Sequence, residues 1–217
     1  MANEWAIKDG KTRLYLSLTN GYLSPSFAFY LDGTATINWG DGSDPVVIES
    51  DDINKLITAQ YDYDDPGNYT VAITCTDTIM IGGVPIYGGD NDSHYACSIK
   101  RAEIGTGITT IGEYAFSGCL ALTDIYIPSG VTGIAEYAFQ NCYSLAYVDL
   151  PNTITGIGQY AFQNCFAMTE IEIDLSSALA GIGQYAFQNC HSLAVADVPT
   201  LASVGQYAFY GCYSLGY

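Results

Sequence analysis

The second half of the chain repeats one pattern of apolar and polar positions. Its most constant part is a Tyr-Ala-Phe triplet, whose phenylalanines recur 22 to 25 residues apart at Phe116, Phe139, Phe162, Phe187 and Phe209. Each triplet follows a stretch with apolar residues spaced as Leu-x-x-Ile-x-Ile, then a turn and a second apolar pair such as Ile154 and Ile157. The alternation predicts short strands near residues 99–104, 122–127, 145–150, 168–173 and 193–198.

A period of this length is typical of a leucine-rich solenoid. One coil cannot bury its own apolar face, so equivalent Leu, Ile, Phe and Cys positions of successive coils stack in ladders. We interpret the triplet as a structural rule rather than a catalytic motif, because Phe and the small Ala before it would fill the inside of the coil. The glycine before the triplet, as in Gly158 and Gly183, suits a tight bend.

The repeat core resembles a known bacterial family. Residues Ile157 to Met168 match the pattern Ile-Gly-x-x-Ala-Phe-x-x-Cys-x-x-Leu of the BspA-like leucine-rich repeats of bacterial surface proteins, with Met in the last place. The resemblance covers about Ser98 to Tyr217 and implies a right-handed solenoid. One unit is longer than the others, and its inserted segment, Asp174 to Gly181, is expected to bulge.

The first half lacks this period, and its short apolar stretches between Asp-Gly, Asn-Gly and Pro-Gly pairs predict a β-sandwich. Strands are predicted near residues 13–18, 27–31, 35–39, 46–48, 56–63 and 69–74. The phrases Ala35 to Ser43 and Tyr61 to Asp77 resemble the PKD domain, an Ig-like sandwich, in its Trp-Gly-Asp-Gly-Ser and Tyr-x-x-Pro-Gly-x-Tyr-Thr-Val motifs. That resemblance places Trp39 in the core, Asp41 and Gly42 in a turn, and Tyr69 and Val71 in the second sheet.

We therefore predict a mainly β protein with two domains. Residues 1–80 form a PKD-like, Ig-like β-sandwich, and residues 98–217 form a right-handed leucine-rich-repeat solenoid. Residues 81–97 are rich in glycine and are predicted to be a linker or a cap for the first coil.

The acidic composition limits the partners. With a net charge of −17 and only six Lys and Arg, nucleic acid is excluded, because binding a phosphate backbone requires basic side chains. Arg101 is the last basic residue, and nine carboxylates follow it. No apolar stretch approaches the ~18 residues of a membrane-spanning helix, so we predict no membrane insertion. No signal peptide is visible at the N-terminus.

The cysteines follow the repeat rather than a disulfide framework. Five of the seven occupy one column, at Cys119, Cys142, Cys165, Cys190 and Cys212. Side chains of one column point the same way at ~4.8 Å spacing, whereas a disulfide needs side chains turned toward each other. We expect buried free thiols there. A pairing of Cys75 with Cys97, outside the column, is an alternative for those two.

Metal and catalytic motifs are weak. The segment Asp90 to His94 begins like an EF-hand but lacks the required glycine and the final glutamate. The acids of 41–44 and 62–65 could share a Ca²⁺ ion, although aspartate is also ordinary in turns. Neither His94 nor His191 has an evident nucleophile and orienting acid. We predict no enzymatic activity, no metal and no cofactor.

Two columns of outward side chains, expected on the concave side of the solenoid, form the candidate binding surface. In Leu-x-x-Ile-x-Ile the Leu and Ile point inward, so the third and fifth positions point outward by the period of two. The third positions are Arg101, Asp124, Tyr147, Glu170 and Val195, and the fifth positions are Glu103, Tyr126, Asp149, Glu172 and Asp197. Carboxylates stacked at strand spacing repel one another, so a partner that relieves them would stabilise the face. The alternative is a merely hydrated face.

Both resemblances imply a non-enzymatic adhesin at the bacterial cell surface or in secreted form. Its ligand would be a host protein, a matrix component or a glycan. A structural spacer in a larger surface or phage-type assembly is the main alternative, and an accessory module of a carbohydrate-active enzyme is a third. The final coil presents Val204, Phe209 and Leu215, so self-association through that end is also expected.

Overall fold

The structure is a computed structural model that describes residues 11–18, 26–75, 78–81, 99–173, 179–196 and 203–216. Within these ranges the regular structure is β-strand, without any helix, which confirms the prediction of a mainly β protein. The strands of the N-terminal part are β1 (Thr12–Leu18), β2 (Ser26–Asn38), β3 (Val46–Gln60), β4 (Gly67–Cys75) and β5 (Thr78–Ile81).

Each coil of the repeats contributes one strand to each of two parallel ladders. The first ladder comprises β6 (Ile99–Glu103), β8 (Asp124–Tyr126), β10 (Tyr147–Leu150), β12 (Glu170–Ile173) and β14 (Val195–Ala196). The second comprises β7 (Ile108–Ile111), β9 (Gly133–Ile134), β11 (Gly156–Ile157), β13 (Gly181–Ile182) and β15 (Ser203–Val204). The predicted strands of the first ladder are confirmed. Four begin later than predicted because the leading Leu closes a turn, as where the Leu145 N–H donates to the Cys142 carbonyl at 3.1 Å.

The insertion in the longest unit leaves the register of the next coil intact. Gly181 of β13 still aligns with Gly156 of β11. Residues 174–178, where the bulge was predicted, lie outside the described residues. The longer unit therefore returns to the common register at β13.

The third side of each coil is the turn that carries the Tyr-Ala-Phe triplet. The five tyrosines have a positive φ of 56° to 59°, which a bulky residue rarely adopts. The phenylalanine rings stack with centroids 5.0 to 5.3 Å apart. The backbone continues this ladder, since the Phe139 N–H donates to the Ala161 carbonyl at 2.7 Å. The repeated phrase is thus a packing motif, as predicted.

The glycines before the triplets open a turn and also allow close packing of adjacent coils. The Ala161 N–H donates to the Gly158 carbonyl at 3.4 Å, and the Ala186 N–H donates to the Gly183 carbonyl at 3.3 Å. Gly158 and Gly183 have no positive φ. A Cβ at Gly158 would lie 2.5 Å from the backbone carbonyl carbon of Ala135 in the preceding coil. One at Gly183 would lie 2.6 Å from the backbone nitrogen of Gln159. The predicted bend is therefore present, and what requires glycine at its first position is the approach of the neighbouring coil rather than a positive φ.

The five cysteines of the repeat are free thiols, as predicted. Each from the second coil onward donates its thiol hydrogen to the carbonyl of a phenylalanine in the preceding coil, as from Cys142 Sγ to the Phe116 oxygen at 3.1 Å. Burial raises the pKa of the Cys165 thiol. Cys97 lies outside the described residues, so a pairing with Cys75 stays a prediction.

The N-terminal strands cover both edges of the first coil. Strand β1 pairs antiparallel with β6, and β5 pairs parallel with β7. Through β1, β4, β2 and β5, one hydrogen-bonded path runs from β14 to β15, and buried residues of both halves form one core cluster. A strand edge carries unpaired N–H and C=O groups, which this pairing satisfies. Residues 82–98, which include most of the predicted linker or cap, lie outside the described residues.

Strand β2 merges two predicted strands and changes partner along its length. Its first half pairs with β5 and its second half with β4. Its pairing with β3 shifts register between Tyr30 and Asp32, and Gly33 has a φ of 106°. A bulge and a glycine bend a strand without ending it. Strand β3 also merges two predicted strands, and β5 was not predicted.

The PKD-like motifs lie on neighbouring strands. Tyr69 and Val71 belong to β4, which is hydrogen-bonded directly to the end of β2 that leads to Trp39. Their predicted placement in a second, facing sheet is therefore wrong. Trp39 is only 2% exposed, in agreement with a core position. The Ig-like sandwich as a whole stays a prediction.

Candidate binding face

We call the outward side chains of β6, β8, β10, β12 and β14 the strand face. Parallel register aligns its third positions in the order Arg101, Asp124, Tyr147, Glu170 and Val195. It also aligns Glu103 with Tyr126 and Asp149 with Glu172. The two predicted columns therefore exist wherever the strands are described, and Asp197 lies outside the described residues.

Burial along the strands agrees with the predicted alternation. Ala102, Ile125 and Val148 point into the core. The exposed outward residues are Arg101, Asp124, Asp149 and Glu170, and the half-buried ones are Glu103, Tyr126 and Tyr147. Only the backbone of Glu172 and Val195 is described. The strand face therefore carries carboxylates and tyrosines together.

Strand β1 extends the strand face beyond the repeats. Its register places Arg13 opposite Glu103 and Tyr15 opposite Arg101. The Tyr15 hydroxyl donates to Glu103 Oε1 at 2.7 Å, and Arg13 Nη1 lies 3.7 Å from Glu103 Oε2. The Arg101 guanidinium lies 5.6 Å from the centroid of the Tyr15 ring. Burial, and then the hydrogen bond to Glu103, raise the pKa of Tyr15.

These contacts add two residues that sequence reasoning missed, Arg13 and Tyr15. A signal was present in the sequence, since Thr12–Leu18 has leucine at every second position, in the manner of a strand with one face in the core. The alternation identifies outward side chains but not the neighbouring strand. Tyr15 and Glu103 are 88 positions apart in the chain.

Charge divides the strand face into two parts. Arg13 and Arg101 lie on β1 and β6, and no Lys or Arg follows Arg101 in the sequence. The strands beyond β6 carry Asp124, Asp149 and Glu170, of which Asp124 accepts a hydrogen bond from the hydroxyl of Thr123 at 2.6 Å. A face of carboxylates and tyrosine hydroxyls suits a partner that brings cations or hydrogen-bond donors.

The Trp-Gly-Asp-Gly-Ser turn is organised by aromatic residues. The Tyr61 hydroxyl donates to Asp41 Oδ2 at 2.5 Å, and the Tyr61 ring stacks on Trp39 with centroids 5.0 Å apart. The hydrogen bond from Tyr61, followed by those from Ser43, lowers the pKa of Asp41 to about 2. Among the described residues, which include the acids considered above for Ca²⁺, no three His, Cys, Asp or Glu are placed to hold a metal ion.

His191 occupies a position in a column of rings. It stacks between Phe166 and Tyr213, with centroid distances of 5.0 and 5.2 Å. Tyr143 precedes Phe166 in the same column at 4.8 Å. His191 therefore occupies an aromatic position of the repeat. His94 lies outside the described residues.

Comparisons with known proteins agree with the geometry of the repeats. A family model described as the BspA type leucine rich repeat region matches residues 90–216 in six copies, more than half of the chain. No curated protein sequence matches the chain. None of the described segments forms a helix long and apolar enough to cross a membrane.

Solved structures resemble the chain over about three fifths of its length. A leucine-rich repeat protein from Bacteroides ovatus is 29% identical with a TM-score of 0.50, over 63% of this chain and 38% of that one. The leucine-rich repeat protein of T. pallidum is 26% identical with a TM-score of 0.47, over 64% of this chain and 84% of that one. A leucine-rich cell surface protein from Faecalibacterium prausnitzii is 30% identical with a TM-score of 0.49, over 57% of this chain and 34% of that one. The match thus spans little more than a third of the Bacteroides and Faecalibacterium proteins.

Proposed function

Because the chain belongs to the family of BspA-type leucine-rich repeat proteins, we propose that it is a non-enzymatic binding module whose ligand contacts the strand face. The ligand is a protein or glycan presented outside the cell, such as a host protein or a matrix component. Stacked coils suit this role, because they present equivalent outward positions in line over an extended surface.

One observation carries the proposal, namely the register of the first ladder. Asp124, Tyr147 and Glu170 come from three successive coils and lie side by side on adjacent strands. The backbones of Asp149 and Glu172 are aligned in the same way, so two acidic residues occupy adjacent positions of the fifth-position column. Such a row is relieved by a ligand that brings positive charge or hydrogen-bond donors to it.

The tyrosines widen the range of ligands beyond cations. Tyr126 and Tyr147 are half-buried on the same face as the acids. An aromatic ring offers apolar surface to a sugar or a side chain, and its hydroxyl offers a hydrogen bond. A protein segment with Lys or Arg beside apolar residues fits this combination, and so does a glycan that hydrogen-bonds carboxylates and packs on rings.

We place the protein at the cell surface or in secreted form, on the strength of the family. The N-terminal part, with Trp39 in its core and the resemblance to PKD motifs, acts in this proposal as a companion Ig-like module. Protease treatment of intact producing cells tests the location. Cleavage of the protein without lysis is expected, and protection until lysis would contradict a surface location.

The binding role is tested with the full chain, because β1 and β5 complete the first coil. A panel of matrix proteins and a glycan array are screened with the wild type, and hits are measured again with Asp124→Asn/Asp149→Asn/Glu170→Gln. The matched control is Asp44→Asn/Glu113→Gln/Glu136→Gln, which removes three exposed carboxylates away from the strand face. We expect the strand-face variant alone to lose binding.

Salt gives a second criterion for the same ligand. Binding through the acidic columns is expected to weaken as salt rises toward ~1 M, where the screening length falls to ~3 Å. Equal loss in both triple variants would show that total charge rather than the strand face matters. Binding that persists in high salt would assign the contact to the tyrosines or to the N-terminal part. A wild type that binds nothing in the panel would favour the spacer function.

A further inference from the structure

Strand β3 lies at the border of the N-terminal sheet. Among the described residues it pairs with β2 alone, whereas β2 also pairs with β4 and β5. The register between β3 and β2 is regular over residues 46–51, which we call the β3 edge. A strand at the border of a sheet carries N–H and C=O groups to which another strand can bind.

The side chains of the β3 edge are accessible on both sides of the sheet. Val46 and Val47 are 42% and 59% exposed, and they point to opposite sides because neighbouring residues of a strand alternate. Glu49 and Asp51 are exposed as well. The fold therefore leaves this border open to a partner.

One side of the β3 edge continues the hydrophobic core. Val46 is opposite Ile37 of β2, which is buried. Ile48 is opposite the buried Ala35 and packs against the core itself. Residues opposite each other on paired strands share one side of the sheet. The core side of this border is therefore apolar, and Val46 leaves part of it exposed.

The other side of the β3 edge is acidic. Residues two apart share one side of a strand, so Val47, Glu49 and Asp51 lie together away from the core. Residues 46–51 contain no Lys or Arg. Pairing of this border with the same border of a second copy is disfavoured, because like charges on adjacent strands repel. Charge therefore favours a basic partner.

We infer that the β3 edge binds an extended basic segment of another protein as an additional strand. Apolar side chains of that segment extend the row of Val46 and Ile48, and Lys or Arg at the alternate positions lie beside Glu49 and Asp51. In strand addition, main-chain hydrogen bonds supply affinity and alternate side chains supply specificity. The net charge of −17 also attracts a basic segment before contact.

This site is distinct from the strand face. Strands β2, β4 and β1 lie between β3 and β6, where the strand face of the repeats begins. The inference therefore does not depend on the proposed function, although both sites attract cations.

Fluorescence anisotropy of the labelled peptide acetyl-Lys-Val-Lys-Val-Lys-Val-Lys-amide, titrated with ~1 to ~500 µM full chain, tests the inference. We expect binding, together with slower hydrogen exchange of amides within residues 46–51. The control peptide carries N-methyl groups on two consecutive central residues, one of which faces each edge of the added strand. It keeps every charge but loses main-chain hydrogen bonds, so it should bind ~10-fold more weakly or worse.

Charge reversal tests the specificity of the site. Glu49→Lys/Asp51→Lys should weaken binding of the lysine peptide by ~10-fold or more, and it should strengthen binding of acetyl-Glu-Val-Glu-Val-Glu-Val-Glu-amide, because charges on adjacent strands interact directly. The matched control is Glu113→Lys/Glu136→Lys, which changes the total charge equally at exposed positions of the repeats. It should stay within about twofold of the wild type, since salt screens charges beyond ~8 Å.

The strand-face variant should also retain the peptide, and circular dichroism verifies that each variant is folded. The inference is overturned by a wild type that does not bind the lysine peptide, or by an N-methylated peptide that binds as well as its parent. Equal loss in the two charge-reversed variants would show that total charge alone matters. Loss in the strand-face variant would assign the peptide to the strand face, and either result would also overturn the inference.

Discussion

At the residue scale, two glycines of one coil show that the same residue type can be required or dispensable. A Cβ at Gly158 would lie 2.5 Å from the carbonyl carbon of Ala135, whereas a Cβ at Gly156 would meet no atom within 4 Å. Neither glycine has a positive φ. Backbone conformation therefore explains neither position, and packing between coils explains only Gly158.

We expect Gly158→Ala to lower the free energy of unfolding by ~1–3 kcal/mol, because the added methyl group forces adjacent coils apart. Gly156→Ala should be neutral or should stabilise the protein by ~0.4–1 kcal/mol, because alanine restricts the unfolded chain. Urea unfolding followed by circular dichroism measures both. Equal midpoints for the two variants would show that the coils can separate without cost.

A second residue-scale prediction concerns Asp41, whose pKa is about 2 in the folded protein against an ordinary value of 3.8. Between these values the unfolded chain binds more protons, so the contribution of this carboxylate to stability is present above about pH 4 and is lost as the pH falls toward 2. Tyr61→Phe removes the hydrogen bond that is the main cause of the lowered pKa. The pKa of Asp41 should then rise toward 3.8 in an NMR titration. Tyr69→Phe is the control, because its hydroxyl donates to the Asp65 carbonyl instead.

At the scale of the element, one turn position is filled in two ways. Asn141, Asn164 and Asn189 occupy it with φ of 60° to 61°, whereas the first and last triplets have Gly118 and Gly211 there, with φ of 75° and 81°. The asparagine side chains form a ladder, in which Asn164 Nδ2 donates to Asn141 Oδ1 at 2.7 Å and Asn189 Nδ2 donates to Asn164 Oδ1 at 2.9 Å. Asparagine and glycine both tolerate this backbone conformation, and only asparagine adds the ladder.

Substitutions of Asn164 separate the two contributions. Asn164→Gly keeps the backbone conformation but loses the amide hydrogen bonds, at ~0.5–1.5 kcal/mol each. Asn164→Ala should be less stable than Asn164→Gly by ~1–2 kcal/mol, because alanine must adopt the left-handed conformation. Gln163, which has no positive φ, is the control. At that position Gln163→Ala should be more stable than Gln163→Gly, because alanine restricts the unfolded chain. The same order at both positions, measured by urea unfolding, would contradict this account.

At the scale of the whole molecule, the N-terminal strands and the repeats share one sheet path and one core cluster. Strands β1 and β5 are the partners of the first coil, and Tyr15, Arg13 and Glu103 connect the two halves on the strand face. The repeats are therefore completed by strands that precede them in the chain.

Deletion of residues 1–81 should therefore lower the unfolding temperature of the repeats and promote their aggregation. The physical reason is that β6 and β7 lose their partners and become exposed edges. Thermal unfolding and size-exclusion chromatography measure the two effects, and a chain lacking residues 1–10, which retains all described strands, is the control. Unchanged melting of the chain that lacks residues 1–81 would instead support the two independent domains predicted from the sequence.

The columns of the strand face could be predicted because their causes are local and repeated. Alternation within each Leu-x-x-Ile-x-Ile stretch determines which side chains point outward, and the constant period brings Tyr147 beside Glu170. The contacts of Arg101 and Glu103 with Tyr15 could not be predicted in this way. They depend on a strand pairing between distant segments, which no repeat spacing encodes.

By itself, the sequence determined the coil, because an apolar face that one coil cannot bury forces equivalent Phe, Cys and Ile positions into register. It also determined the acidity of the strand face, since no Lys or Arg follows Arg101. Only the tertiary structure decided how the first coil is closed, why Gly158 must be glycine, and that β2 passes through Asp32 and Gly33 without a turn. Those features depend on backbone hydrogen bonds and close approaches between distant segments, and such contacts leave little trace in local patterns of polar and apolar residues.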